Sequence, residues 1–95
     1  MSAYLIANVE IKDSEKFQDY MKATPSIIKK FGGKFLVRGG DFEICEGSWN
    51  PKRIVVVEFE SMLKAKQFYN SPEYEAIKHL RKSSAYTEWV FVDGL

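Results

Sequence analysis

The sequence predicts an α+β fold, a split β-α-β-β-α-β plan in which an antiparallel sheet carries its helices on one face. Three observations predict it. Residues 53–59 (Arg-Ile-Val-Val-Val-Glu-Phe) hold the longest run of β-branched side chains, which crowd a helix but pack well on a pleated sheet. Phe17, Tyr20, Met21, Thr24, Ile27, Ile28 and Phe31 recur at helical spacing behind a capping residue, Asp13 or Ser14. Ser71-Pro72 then marks a fresh helix start, because Ser caps well and Pro suits the first helical position.

Taken in order, residues 4–11 read as a strand with Leu5, Ala7, Val9 and Ile11 on one face and Tyr4, Ile6, Asn8 and Glu10 on the other. In the first helix, Pro25 removes an amide donor in mid-pattern. A kink is expected there, or a helix ending near Thr24 with a second short one to Phe31. Gly32-Gly33 stops the helix. Residues 34–37 form a short strand, Gly39-Gly40 bends or bulges it, and residues 41–46 resume extended structure with Cys45 buried. A turn over 47–52 leads into the strand at 53–59, which is apolar enough to lie inside the sheet. Ser61 caps a helix carrying Ala65, Phe68 and Tyr69, and Tyr74, Ile77, Leu80 and Arg81 continue helically after the break at 70–73. Residues 87–92 are the last strand. Crossover handedness puts the first and third strands in the centre and the second and fourth outside. Tyr4, Ile6, Phe42, Trp89 and Phe91 cannot all face two helices, so a second copy of the chain is expected to cover the other sheet face as a homodimer.

Ninety-five residues make one domain. Fourteen basic and 13 acidic side chains leave a net charge of +1, which gives no field calling for nucleic acid or an anionic membrane. One cysteine allows no internal disulfide, and neither a leader pattern nor a membrane-length apolar run is present, so a cytoplasmic setting is expected. There is no P-loop, dinucleotide fingerprint or zinc-like spacing, and no cofactor or metal is expected. His79 reads as a surface helix residue.

Several residues carry potential chemistry. Glu58 is a carboxylate in an otherwise apolar strand, where burial would favour its neutral form and suit proton transfer; a structural pair with an arginine is the bland alternative. Arg38-Gly39-Gly40 sets a rigid guanidinium fork beside glycines that allow close backbone approach, as an anion site requires. Trp49, on a loop with Asn50-Pro51, is either a lid or a plug into a partner subunit. Tyr69 or Tyr74 is placed to line a cavity mouth.

Residues 31–40 (Phe-Gly-Gly-Lys-Phe-Leu-Val-Arg-Gly-Gly), 46–53 (Glu-Gly-Ser-Trp-Asn-Pro-Lys-Arg), 57–59 (Val-Glu-Phe) and 68–74 (Phe-Tyr-Asn-Ser-Pro-Glu-Tyr) resemble the signature segments of the DUF1330 family, in order and at matching spacing. The resemblance implies a dimeric α/β barrel of ferredoxin-like subunits. It is a fold shared with muconolactone isomerases, haem-degrading and antibiotic-biosynthesis monooxygenases, and stress-responsive barrel proteins; the family itself has no settled reaction. Its recognisable charged positions correspond to Arg38, Arg53, Glu58, Glu73 and Arg81, while Phe31 replaces a usual Tyr and Glu60 a usual Pro. The expected function is a cofactor-independent enzyme, isomerase-like or monooxygenase-like, acting on a small carboxylate or carbonyl compound. Arg38 and Arg81 would hold its anionic end, Glu58 would move a proton, and Tyr4, Phe42 and Trp89 would form apolar walls. The alternative is a non-catalytic dimeric binding or structural protein.

Overall fold

The computed structural model describes residues 1–95. The elements are β1 (Ala3–Ile11), α1 (Ser14–Lys30), β2 (Lys34–Arg38), β3 (Ile54–Phe59), α2 (Met62–Tyr69), α3 (Pro72–Lys82) and β4 (Ala85–Asp93). The helical half after β3 is therefore two helices, joined where Ser71 accepts the Tyr74 amide at 3.1 Å and donates to the Phe68 carbonyl at 2.8 Å. One serine hydroxyl thus ends α2 and starts α3.

At its start α1 is capped by Asp13, whose side chain accepts from the Lys16 amide, and at its end Gly32 turns left-handed at φ +77°. The helix does not end near Thr24 but runs through Pro25 to Lys30. Proline leaves the Met21 carbonyl without its i+4 donor, and Arg38 Nη2 supplies one at 2.7 Å. A charged donor from β2 thereby repairs the helical ladder.

The four strands pair antiparallel in the order β2-β3-β1-β4, with β3 and β1 central as expected. In β1, Ala3, Leu5, Ala7 and Val9 are buried under the helices, and Tyr4, Ile6, Asn8 and Glu10 take the opposite, open face. Between β2 and β3 the register slips by one residue. Phe35 pairs with Val57, yet Val37 pairs with Val56 and Arg38 with Val55, so Leu36 is the extra residue of a bulge. Strict alternation would have sent Arg38 to the open face; the bulge turns it under α1. The bulge thus falls at Leu36, ahead of the glycine pair where the sequence suggested one.

Leu5, Ala7, Val9, Val57 and Phe59 from the sheet meet Phe17, Tyr20, Ile28, Ala65, Phe68 and Tyr74 from the helices in one core. Phe68 is its hub, with ring centroids 4.7 Å from Tyr74 and 5.5 Å from Phe59. Each such buried ring contributes about 1.5–3 kcal/mol through removal from water. The molecule is only 16 Å thick along its shortest axis, which is one sheet plus one helix layer. Its other sheet face is bare and apolar, presenting Ile6, Ile54, Val56, Val90 and Val92, with Val90 53% exposed.

Three further expectations change. Residues 41–46 are not a strand but part of an exposed connection from β2 to β3, so Cys45 is exposed rather than buried. Lacking a sheet partner, that segment has no ladder to join. Trp89 and Phe91 point to the helices, where they meet Tyr69 at 5.7 and 6.2 Å, and Phe42 sits on the exposed connection. The open face is consequently aliphatic with Tyr4 and Tyr86, not aromatic throughout. β4 also starts two residues earlier than expected, at Ala85, and pairs along the whole of β1.

Candidate functional site

A cavity lies between the sheet and the helices. It encloses about 50 Å³ and, taken out through its mouth to solvent, about 510 Å³ of empty space. Its walls are apolar, from Val9, Phe17, Met21, Phe35 and Val55 among others, and its polar side chains are Arg38, Arg53, Arg81, Tyr20, Thr24 and Trp89. No carboxylate, histidine, lysine or cysteine borders it. Three guanidinium-bearing side chains around one apolar space, with no acid among them, is an uncompensated arrangement.

Each arginine reaches the cavity for a local reason. The Leu36 bulge directs Arg38, which stands at the exposed end with its guanidinium carbon 4.6 Å from the Phe35 ring centroid and one nitrogen on Met21. Arg53 precedes β3 and lies across Gly39, where an added Cβ would fall 2.5 Å from its Cζ and Nη1. Gly39 sits at φ +75°, so both its backbone and its missing side chain are used. Desolvation lowers the Arg53 pKa from its ordinary value, and the neighbouring positive charge of Arg38 lowers it further. Arg81 projects from α3 and is only 7% exposed. Its Nε donates to the Tyr74 hydroxyl at 3.0 Å, another nitrogen donates to the Thr87 hydroxyl, and its guanidinium carbon lies 4.5 Å from the Trp89 ring centroid. Its partners are thus all neutral.

Two buried N–H groups have no acceptor at all, Arg53 Nε and Trp89 Nε1, and both side chains border this cavity. Orphaned buried donors are rare in folded proteins, and two of them on side chains bordering one space call for an acceptor.

Behind the cavity, the Tyr20 and Tyr74 hydroxyls are 2.7 Å apart. Burial raises the Tyr20 pKa, opposed by the hydrogen bond from Tyr74 and the charge of Arg81. Burial likewise pushes Tyr74 far up, and the nearby Tyr20 hydroxyl adds to the effect. Both remain protonated at neutral pH.

Of the residues singled out from the sequence, Arg38, Gly39, Arg53 and Arg81 come together here. Glu58 does not. It follows Ile54 and Val56 onto the open face, where its carboxylate accepts from the Tyr4 hydroxyl at 3.3 Å and makes no ion pair with any arginine. The whole sheet separates Glu58 and Tyr4 from the cavity. Gly40 is free of close neighbours, and Glu73 pairs with Lys30 on the surface. Neither Tyr69 nor Tyr74 borders the cavity, although Tyr74 touches it through Arg81. Trp49 is 59% exposed and lies beside Ile6, Asn8 and Val90 on the open face, so it is no lid over the arginines. Its connection is tied down where the Lys52 amide donates to Asn8 Oδ1 at 2.8 Å. Tyr20 and Thr24 are the members that sequence reading missed. They look like ordinary rungs of an apolar helical stripe, and only their polar tips hint otherwise.

Fold and site together define an α+β sandwich of ferredoxin-like type, with an arginine-lined cavity under its helices. The chain belongs to the family described as "Domain of unknown function (DUF1330)", whose model matches residues 2–95. No curated protein matches it. Among solved structures it is similar to a protein of unknown function from Rhodopseudomonas palustris, at TM-score 0.81 and 13% identity, covering 99% of this chain and 82% of that one. It is also similar to SnoaB, a cofactor-independent oxygenase from Streptomyces nogalater, at TM-score 0.72 and 7% identity, covering 99% and 93%. A dimeric ferredoxin-like protein of unknown function from Jannaschia sp. CCS1 matches at TM-score 0.67 and 12% identity, covering 99% and 100%. These likenesses establish the shared fold. No helix of the chain is long and apolar enough to cross a membrane.

Proposed function

We propose that the protein binds a small organic acid or carbonyl compound in the arginine-lined cavity and acts on it without a cofactor. The observation that carries this reading is the pair of buried, acceptorless donors, Arg53 Nε and Trp89 Nε1, on side chains that both border the cavity. An anion held in the cavity would offer the missing acceptors and offset the repulsion between Arg38 and Arg53. The enclosed space is small, so a ligand of more than a few heavy atoms must extend through the mouth beside Arg38. Fixed donors of this kind stabilise negative charge developing on an oxygen, which isomerisation and cofactor-independent oxygenation both require. SnoaB, of similar fold, performs the second kind of chemistry.

A second reading, a non-catalytic binding protein, is favoured by the lack of any proton acceptor of the usual kinds among the lining residues. In either reading the protein works as a homodimer. A second copy covers the bare sheet face, in keeping with its exposed aliphatic surface and with the dimeric relative from Jannaschia.

The test is a thermal-shift screen of small carboxylates and phenolics, including pentanoate and benzoate, on the wild type and on Arg53→Met. Ligand at a hundredfold excess over Kd stabilises by about 2.7 kcal/mol. A melting-point rise in the wild type that Arg53→Met abolishes is expected. A rise of equal size in both proteins would place the ligand elsewhere.

A further inference from the structure

We propose that the cavity takes a dianion, a short straight-chain dicarboxylate laid across β1 with one carboxylate at Arg38 and Arg53 and the other at Arg81. This rests on the anion-binding reading above and names the ligand class within it.

Charge and spacing both point there. Every arginine of the chain borders this cavity and no lysine does, and none of these arginines makes an ion pair within the chain. One carboxylate would leave positive charge in excess in an apolar space, and a second reduces that excess. The sheet register sets the charges at two poles. Arg38 lies opposite Val55, Val55 opposite Ala7, and Ala7 opposite Trp89, in one row across all four strands, and all four residues line the cavity. At the usual strand spacing the ends of that row are about 14 Å apart. The guanidinium groups stay at their own ends. The Arg38 carbon lies 4.6 Å from the Phe35 ring of β2, and the Arg81 carbon 4.5 Å from the Trp89 ring of β4. Arg53 lies across Gly39, just past the end of β2, on the side away from β4. A single carboxylate cannot serve both ends. Each pole also has its own unmet donor, Arg53 Nε at one and Trp89 Nε1 at the other. Arg81 spends only two of its five N–H groups, on Tyr74 and Thr87. Between the poles the floor is Ala7 and Val55, which suits a hydrocarbon link. The small enclosed space, about 50 Å³, favours a carboxylate over the bulkier phosphate at the deep pole.

Titration calorimetry on the full chain compares glutarate with pentanoate and adipate with hexanoate, pairs in which a carboxylate replaces the terminal methyl group. In at least one pair the diacid is expected to bind about tenfold or more tightly, the worth of one further charged hydrogen bond. Arg81→Gln should erase that advantage and leave the monoacid affinities unchanged. In the wild type, a nuclear Overhauser contact between the methylenes of the preferred diacid and the Ala7 methyl is expected as well; it needs no variant to fold. Monoacids that bind as tightly as both diacids, an advantage that survives in Arg81→Gln, or no contact to Ala7 would each overturn the dicarboxylate while leaving the anion site standing. Failure of all four acids to bind would overturn the two readings together.

Discussion

Replacing Gly39 by alanine should damage stability and ligand binding by separate routes. The residue sits at φ +75°, where a side chain costs about 1–2 kcal/mol. Its new Cβ would fall 2.5 Å from Cζ and Nη1 of Arg53 and 3.0 Å from Nε, so the guanidinium must move off the cavity wall. That side chain is long, and it can swing away at little further cost to folding. The loss in urea unfolding should therefore stay near the backbone value, about 1–2 kcal/mol, or a fall in Tm of about 5–15 °C for a chain of this size. Binding loses more. A hydrogen bond from a charged donor is worth about 1.5–3 kcal/mol, so pentanoate affinity should fall about 10- to 100-fold by calorimetry. Gly40→Ala is the control, since nothing lies within 4 Å of its added Cβ; it should change stability by less than about 0.5 kcal/mol and leave affinity alone. Equal behaviour of the two variants would refute the placement of Arg53 over Gly39.

Three other outcomes are expected. Tyr74→Phe removes a hydroxyl that serves both Tyr20 and the buried Arg81, and should cost about 2–4 kcal/mol in urea unfolding; a loss under about 0.5 kcal/mol would show that Arg81 finds another partner. The raised pKa values of Tyr20 and Tyr74 mean that their contribution is complete below the unfolded phenol value of 10.0 and is lost as pH climbs above it. Stability should thus fall steeply in that alkaline range, with a late step in tyrosinate absorbance that coincides with unfolding. Val90→Lys puts a charge on the bare sheet face, halfway along edge strand β4, and should yield a folded monomer by sedimentation at micromolar concentration, whereas an unchanged dimer would exclude that face as the interface.

Much of the fold was legible because local signals agreed with one another. Asp13, Ser61 and Ser71 all cap the helices they were expected to cap, and the aliphatic run of β3 does lie inside the sheet. The helix continues past Pro25 by a tertiary remedy, a guanidinium 13 residues further along the chain, which no local pattern contains. In β4 both alternating sets are apolar, Tyr86, Val90 and Val92 against Trp89 and Phe91, so period-two reasoning could not choose which set faces the helices. The cavity's arginines could be named, but not its hydroxyls, since Tyr20 fits an apolar stripe equally well. Glu58 is the instructive case. It stands five residues after Arg53 in the run read as one strand, and an odd spacing puts the two on opposite faces. The sequence therefore already argued against joining them in one site. The Leu36 bulge, by contrast, left no mark in composition, and without it Arg38 would have been assigned to the wrong side.

That single unpaired residue makes β2 sensitive to register in an unusual way. Deleting it would leave Val37 opposite Val56 and Arg38 opposite Val55, each still on its own side. Drawing it into the ladder opposite Val56 would instead trade its two neighbours across the sheet, sending a cation out to the hydrophobic side and a valine in to the polar pocket. In this segment, spacing and not residue identity decides which chemistry each side of the molecule displays.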